Sequence, residues 1–449
     1  MRHGNEMDTL IMSPSTTEPA ELKLKNRKIL TSGSNTNLSA EAIGPKASLE
    51  NLFSNRPSLL DVKQLATEHA LSTNLTGFYH FFWICLTFFV VSTFFVNFVE
   101  NGKILSGKLL ETCFGDAVGV IIGEGLFLST VLLAGLSVFI FGNYSRVLRN
   151  IFPFSVLFIG SYFGFHRNWS GLQRAIFLLH SLSVFMKVYA FLYHHRKITV
   201  PLKSFTTKFK HLLYFVFAPT MLYSESYPKN DRIRKSIILE RLAGIVLCFI
   251  SMYIVVEEYI LPAVQRLTLL KSSTTVNEYI LGAIYAYSKL LLPCNAYFLL
   301  GFFFVFEYWC NLFAELTCFA DRQFYTDWWN GISFYDFSTR WNIPVHKFLQ
   351  KYIYRHLIDE AKYSKSTAMT VTFLFSSVFH ELVMFVMMGP SKYIFTFLFV
   401  YQMLQIPLIS LVVGTGWAKK NVNLANWVFW IMLVLGIPTV VLSYALFAV

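Results

Sequence analysis

From residue 78 to the end, the chain alternates long apolar runs with shorter polar connections. A helix crossing a bilayer needs roughly 20 mostly apolar residues. Stretches of that character occur at 78–99, 118–141, 151–165, 172–193, 242–262, 280–307, 369–388, 392–413 and 425–448, which predicts nine crossings and an all-α, polytopic membrane protein. The third is short enough to be re-entrant. Charge decides for spanning: with a cytosolic N-terminus, nine crossings put four basic connections on the cytosolic side. These carry Arg146 and Arg149, the bases of 196–235, those of 347–365, and Lys419 with Lys420; Arg167, Arg266 and Lys271 are among the fewer bases that oppose the pattern. Removing one crossing breaks that alternation.

Residues 1–77 differ in kind. They are rich in Ser, Asn and Thr with balanced charge, which predicts a disordered cytosolic tail with a short helix near 59–69. Residues 78–449 then form the membrane domain. The first apolar run starts too late and runs too long for a cleavable leader, so it is expected to direct insertion itself.

Composition narrows the classes. With 55% hydrophobic and 14% charged residues, an ordinary soluble domain is excluded. The net charge of +12 reads as topology plus attraction to anionic head groups or an anionic co-substrate. No separate basic domain supports nucleic-acid binding. The six cysteines are scattered without paired spacing, which supports neither a disulfide framework nor a zinc site. No internal repeat points to an inverted-repeat transporter.

Two places carry unexplained polarity. His380 stands in MTVTFLFSSVFHELVMFVMM, and an ionisable group at membrane depth is by default a functional hypothesis. Ser376 and Ser377 share its helical face, so a serine hydroxyl is expected to fix the imidazole tautomer and free the other nitrogen as a base. Glu381 lies about 100° around the helix and is expected to orient a neighbouring element. The competing reading is a core histidine bonded to a carbonyl. His180, with Lys187 two turns later, is an internal control: it too lies in an apolar run, as Glu124, Glu257 and Glu258 nearly do.

The second place is the connection 308–368. Within it, 321–346 reads DRQFYTDWWNGISFYDFSTRWNIPVH. Interfacial anchoring explains some of its Trp and Tyr. It explains less well the interleaved Asp321, Asp327, Asn330, Asp336 and Asn342, which suit a hydrogen-bonded loop around a ligand. Pro344 ends or kinks local structure, and Arg340 and Lys347 suit phosphate contacts. KFLQKYIYRHL beyond is a basic, aromatic, amphipathic pattern fit for the interface.

FYTDWWN resembles the FYxDWWN motif of the acyl-CoA:cholesterol and diacylglycerol acyltransferase branch of the membrane-bound O-acyltransferase superfamily. WNIPVHKFL and SSVFHELVMF resemble that superfamily's paired asparagine and histidine segments. YPKNDRIRKSIILERLAGI and DFSTRWNIPVHKFL look most like the fungal sterol O-acyltransferases. The resemblance implies nine helices enclosing an intramembrane reaction chamber in the endoplasmic reticulum membrane. It implies acyl transfer from long-chain acyl-CoA, a co-substrate rather than a bound cofactor, to the 3β-hydroxyl of a sterol such as ergosterol or a precursor. A homodimer or tetramer is implied as well, with no metal.

By position, His380 would be the catalytic histidine and Asn342 its partner across the chamber. Trp341, His346 and Ser376 would line the acyl-CoA path. Phe324, Tyr325, Asp327, Trp328, Trp329 and Asn330 would hold its cytosolic side, with Arg340, Lys347 and Glu381 as further binding residues. Two departures stand out: Thr339 where the family often has Arg, and Tyr189-Ala190 where it commonly has His-Ser. A diacylglycerol acceptor is the alternative within the chemistry. A transporter using His180, Lys187, Glu257 and His380 as a relay is the alternative outside it, with a scaffold merely anchored by its aromatic loop.

Overall fold

A computed structural model describes residues 76–105, 115–141, 146–196, 205–270, 275–388 and 416–447. The expected tail, its helix near 59–69 and the expected crossing at 392–413 lie outside the described residues. The described chain is helical, and β-pairing within it is limited to one bridge, Lys229 with Phe319.

The elements in chain order are α1 (Thr76–Asn101), α2 (Ala117–Phe141), α3 (Arg146–His166), α4 (Gly171–His195), α5 (Phe205–Phe217) and α6 (Lys235–Ile254). A π turn (π1, Val255–Ile260) joins α6 to α7 (Leu261–Leu270), and another (π2, Phe303–Trp309) joins α8 (Val276–Phe302) to α9 (Cys310–Leu316). After the aromatic loop come α10 (Phe334–Arg340), α11 (Ile343–Phe348), π3 (Leu349–Tyr354) and α12 (Arg355–Asp359). Then follow α13 (Lys365–Met388), α14 (Trp417–Lys420) and α15 (Val422–Phe447).

Seven described helices are long and apolar enough to span, and 151–166 is a shorter apolar helix within α3. The protein is thus a multi-pass membrane protein, but the described residues give seven such helices where nine crossings were expected. Two helices overrun their expected bounds, and the one expected at 242–262 runs Lys235–Leu267. The helix expected at 280–307 runs Val276–Leu316 without a break, roughly 60 Å at 1.5 Å per residue. That is about twice the hydrocarbon thickness, so the helix is long enough to extend beyond the apolar layer. The connection therefore starts near Thr317 rather than 308. The first helix likewise starts at Thr76.

α4 is the central helix: 67% of its apolar stretch is buried, against 6% for α1. Ser170 caps it, its Oγ accepting from the Gln173 N–H at 3.1 Å. Phe177, Val184, Val188 and Phe191 of α4 meet Phe127, Phe163, Phe215 and Phe348 in one core. A second core gathers Phe302, Phe306, Phe324, Tyr325, Trp328 and Phe429 around the aromatic loop. α13 packs on α4, α3 and π3. It approaches α3 so closely that a Cβ on Gly164 would stand 2.5 Å from Val386 Cγ1.

Candidate active site

The aromatic loop is fastened from three sides. Tyr325 donates its hydroxyl to Glu307 Oε2 at 2.7 Å, and Arg241 Nη1 meets Glu307 Oε1 at 2.7 Å. Glu315 takes Arg322 at 2.5 Å and Arg234 at 2.9 Å through its side chain, plus the Arg234 N–H at 2.7 Å. Both carboxylates are fully buried, where only such complete pairing offsets the cost of desolvation. From α15, Asn426 Nδ2 donates to the carbonyls of Trp329 and Gly331 at 2.9 and 2.8 Å, and Trp430 Nε1 to Trp329 at 3.0 Å.

Trp328 is the hub. Its ring lies 4.9 Å from Trp341, 5.3 Å from Phe302 and 5.7 Å from Trp430, mostly edge-on, the arrangement aromatic quadrupoles favour. Trp341 in turn stacks on Phe298 at 4.5 Å and 8°. Backbone bonds close the loop on itself: Thr326 N–H to the Arg340 carbonyl, and Ile343 N–H to the Phe324 carbonyl, both 3.0 Å. The Arg340 side chain reaches Asp327 at 3.5 Å. Phe324, Tyr325 and Trp328 are buried, Trp329 and Asp327 half-buried, and Asn330 exposed.

Asn342 ends this loop and starts α11. Its Oδ1 accepts from the Val345 N–H at 3.2 Å as the N-cap, with Pro344 in the first turn. Nδ2 carries no hydrogen bond among the described residues. One turn on, burial and then the neighbouring Lys347 hold the His346 pKa below its ordinary value, so its imidazole is neutral at pH 7. The α11 helix continues as π3, which lies against α13. That packing, rather than a direct bond, relates Asn342 to His380. Among the described residues no hydrogen bond or ring contact joins His380 to Asn342, Trp341 or His346.

His380 itself is exposed, and Nδ1 lies 2.8 Å from the Ser376 carbonyl. A carbonyl only accepts, so Nδ1 bears the proton and Nε2 keeps a free lone pair. This corrects the expected serine hydroxyl. The Ser376 backbone fixes the ring, while Ser377 Oγ donates to the Phe373 carbonyl at 2.9 Å. Glu381 is buried on the other side of the helix, at 1% exposure. Because His380 is exposed, the chamber wall expected around it is not formed by the described residues. The open apolar face of α1 that carries Phe88, Val91 and Phe95 takes no part in this site.

The internal control resolves differently. His180 Nδ1 meets Glu124 Oε1 of α2 at 2.8 Å. Lys187 donates to the carbonyls of Phe215, Ala218 and Thr220 at 2.8, 2.6 and 3.0 Å. These two expected relay members are engaged in holding helices and a turn together.

Sequence reasoning missed the partners that fasten the loop: Glu307, Glu315, Arg234, Arg241, Asn426 and Trp430. One signal was present. Glu307 and Glu315 lie about two helical turns apart at the end of an apolar helix, where unpaired acids would be costly.

An all-helical membrane protein with a pinned aromatic loop and a histidine on an apolar helix is the class this geometry defines. The membrane-bound O-acyltransferase family profile matches residues 201–446, more than half of the chain, and the chain belongs to that family. It is 27% identical to "Sterol O-acyltransferase 2" of Saccharomyces cerevisiae, over 82% of this chain and 66% of that protein. It is 28% identical to "Probable sterol O-acyltransferase 2" of Schizosaccharomyces pombe, over 84% of this chain and 88% of that protein. To "Diacylglycerol O-acyltransferase 1-2" of Oryza sativa subsp. japonica it is 37% identical, over 53% of this chain and 48% of that protein. The chain spans just under two thirds of the length of its Saccharomyces relatives, at 66% and 65%.

Proposed function

We propose that the protein transfers a long-chain acyl group from acyl-CoA to the 3β-hydroxyl of a sterol, with His380 as general base. One observation carries this reading: His380 stands on a membrane helix with its tautomer fixed by the Ser376 carbonyl, leaving Nε2 free. An imidazole so held presents Nε2 as a base for an alcohol proton.

In the step proposed, Nε2 takes the hydroxyl proton as the sterol oxygen attacks the thioester carbonyl. The tetrahedral intermediate collapses, the C–S bond breaks, and the imidazolium returns its proton to the CoA thiolate. The Asn342 amide is the donor to the developing oxyanion; such a donor is worth about 3 kcal/mol in comparable sites. Trp341, His346 and Ser376 line the acyl-CoA path, and the loop from Phe324 to Asn330 frames its cytosolic side. Arg340 and Lys347 supply positive charge for phosphates, Arg340 by exchanging its 3.5 Å contact with Asp327. Glu381 supports the histidine helix from behind. The enzyme works in the endoplasmic reticulum membrane with a cytosolic N-terminus, as a homodimer or tetramer.

Matches to the sterol enzymes that run along 82–84% of the chain favour a sterol acceptor. A diacylglycerol acceptor draws on the higher identity of the shorter matches, 37% over 53% of the chain. Labelled oleoyl-CoA offered with ergosterol or with diacylglycerol to the purified protein separates the two. Faster steryl-ester formation is expected; triacylglycerol as the main product overturns the acceptor, and no ester at all overturns the reaction.

A further inference from the structure

We propose that His194, His195 and Glu225 form a binding site for a divalent transition-metal cation of the zinc type at the C-terminal end of α4. Their ligand atoms all lie within 4.8 Å of one another. The residues come from two separate segments, which is why no motif spacing reveals them.

His195 carries the inference. It is 3% exposed, and its Nδ1 lies 2.9 Å from the Phe191 carbonyl, so Nδ1 bears the proton and Nε2 a lone pair. That lone pair is buried without a hydrogen-bond partner. A backbone carbonyl fixing one ring nitrogen while the other points at a metal is the usual arrangement of a ligating histidine. His194 Nε2 is also buried without a hydrogen bond, 3.7 Å from Glu225 Oε1. A gap of that length is too wide for a hydrogen bond. Two imidazole nitrogens without hydrogen-bond partners thus lie within 4.8 Å of a carboxylate whose described partner is Lys208.

The rings are held in advance. Their centroids are 5.0 Å apart, and Tyr223 packs on His194 at 5.0 Å and on His195 at 5.3 Å. Bonds of about 2.0–2.1 Å in a tetrahedral zinc site put ligand atoms about 3.4 Å apart. Glu225, with a side chain 55% exposed, closes the difference on leaving Lys208, and water fills the fourth position. Nitrogen-rich donors select zinc-like ions over Mg²⁺ or Ca²⁺.

Lys208 is the competitor, because its ammonium already pairs with Glu225 Oε1. A cation must displace it, with Lys351 adding a second nearby positive charge. The consequence for the fold is specific. Glu225 leads into Pro228–Asn230, whose backbone pairs with Cys318 and Ala320 just before the aromatic loop, so the ion would clamp α4 to that segment.

The test uses the full chain, without a polyhistidine tag, purified in detergent, stripped with chelator, and titrated with Zn²⁺ and with Co²⁺. One equivalent is expected, with intense visible d–d absorption from the Co²⁺ form. His195→Ala and Glu225→Gln each weaken binding by about 100-fold or more. Lys208→Met tightens it by about tenfold or more, the effect of removing a unit charge a few ångströms from a dication. Glu225 is exposed, so its variant folds. Wild-type protein that binds no Zn²⁺, or Glu225→Gln that keeps wild-type affinity, overturns the site.

Discussion

Tyr325 and Trp328 are 7% and 2% exposed, and the loop they belong to is tied by buried carboxylates, ring contacts and amides from three helices. His380 is exposed and held by one bond to a carbonyl of its own helix. The two regions divide the labour. The loop is shaped by buried pairing and ring packing, whereas the histidine contributes little packing and, in the proposed reaction, the base. Substitutions in the first region should therefore be read mainly in stability, and those in the second mainly in rate.

The largest stability effect is expected from Trp328→Ala. Deleting a buried indole at the centre of the second core should cost about 3–5 kcal/mol, seen as a lowered midpoint of thermal unfolding in detergent. Glu315→Gln should follow at roughly 3 kcal/mol, the low end for a broken buried pair. Arg234 is 39% exposed and can rehydrate, but Arg322, at 9%, cannot. Tyr325→Phe removes the hydroxyl that donates to Glu307 Oε2 and should cost about 1–3 kcal/mol. If any of these three lowered activity without moving the unfolding midpoint, the loop would be chemistry rather than scaffold.

Asn342 sits at the seam between the loop and α11. As an N-cap accepting at 3.2 Å, it should lose only about 1 kcal/mol of stability on change to Ala. Asn342→Asp keeps the cap and removes the amide donor. Activity lost in both, with the midpoint unmoved in Asn342→Asp, fits the proposed oxyanion role; activity retained in Asn342→Asp leaves the residue a cap and no more.

The same division explains what could be read from the chain in advance. Apolar runs predicted the helices because burial in lipid demands them, and α1, α2, α4 and α15 begin or end within a few residues of those runs. The run at 280–307 misled, because a helix need not stop where its hydrophobicity does: Glu307 and Glu315 continue it once Arg241, Arg234 and Arg322 pair them. Arg241 and Arg234 lie 66 and 81 residues from their carboxylates and Arg322 only seven, across the turn that ends the helix, and no local pattern joins the three. The three π turns, with no sequence signal of their own, were also invisible. For His380, apolar context made the residue conspicuous, but the group fixing its ring is a backbone carbonyl, which every residue owns and no sequence marks.

The decisive measurement is esterification by purified His380→Ala in detergent, alongside its thermal unfolding. The account predicts a loss of about 10²–10⁴-fold or more in turnover with an unchanged unfolding midpoint, since an exposed ring gives up little packing. Turnover within a few-fold of the wild-type value, in a protein that is folded and binds acyl-CoA, would contradict it.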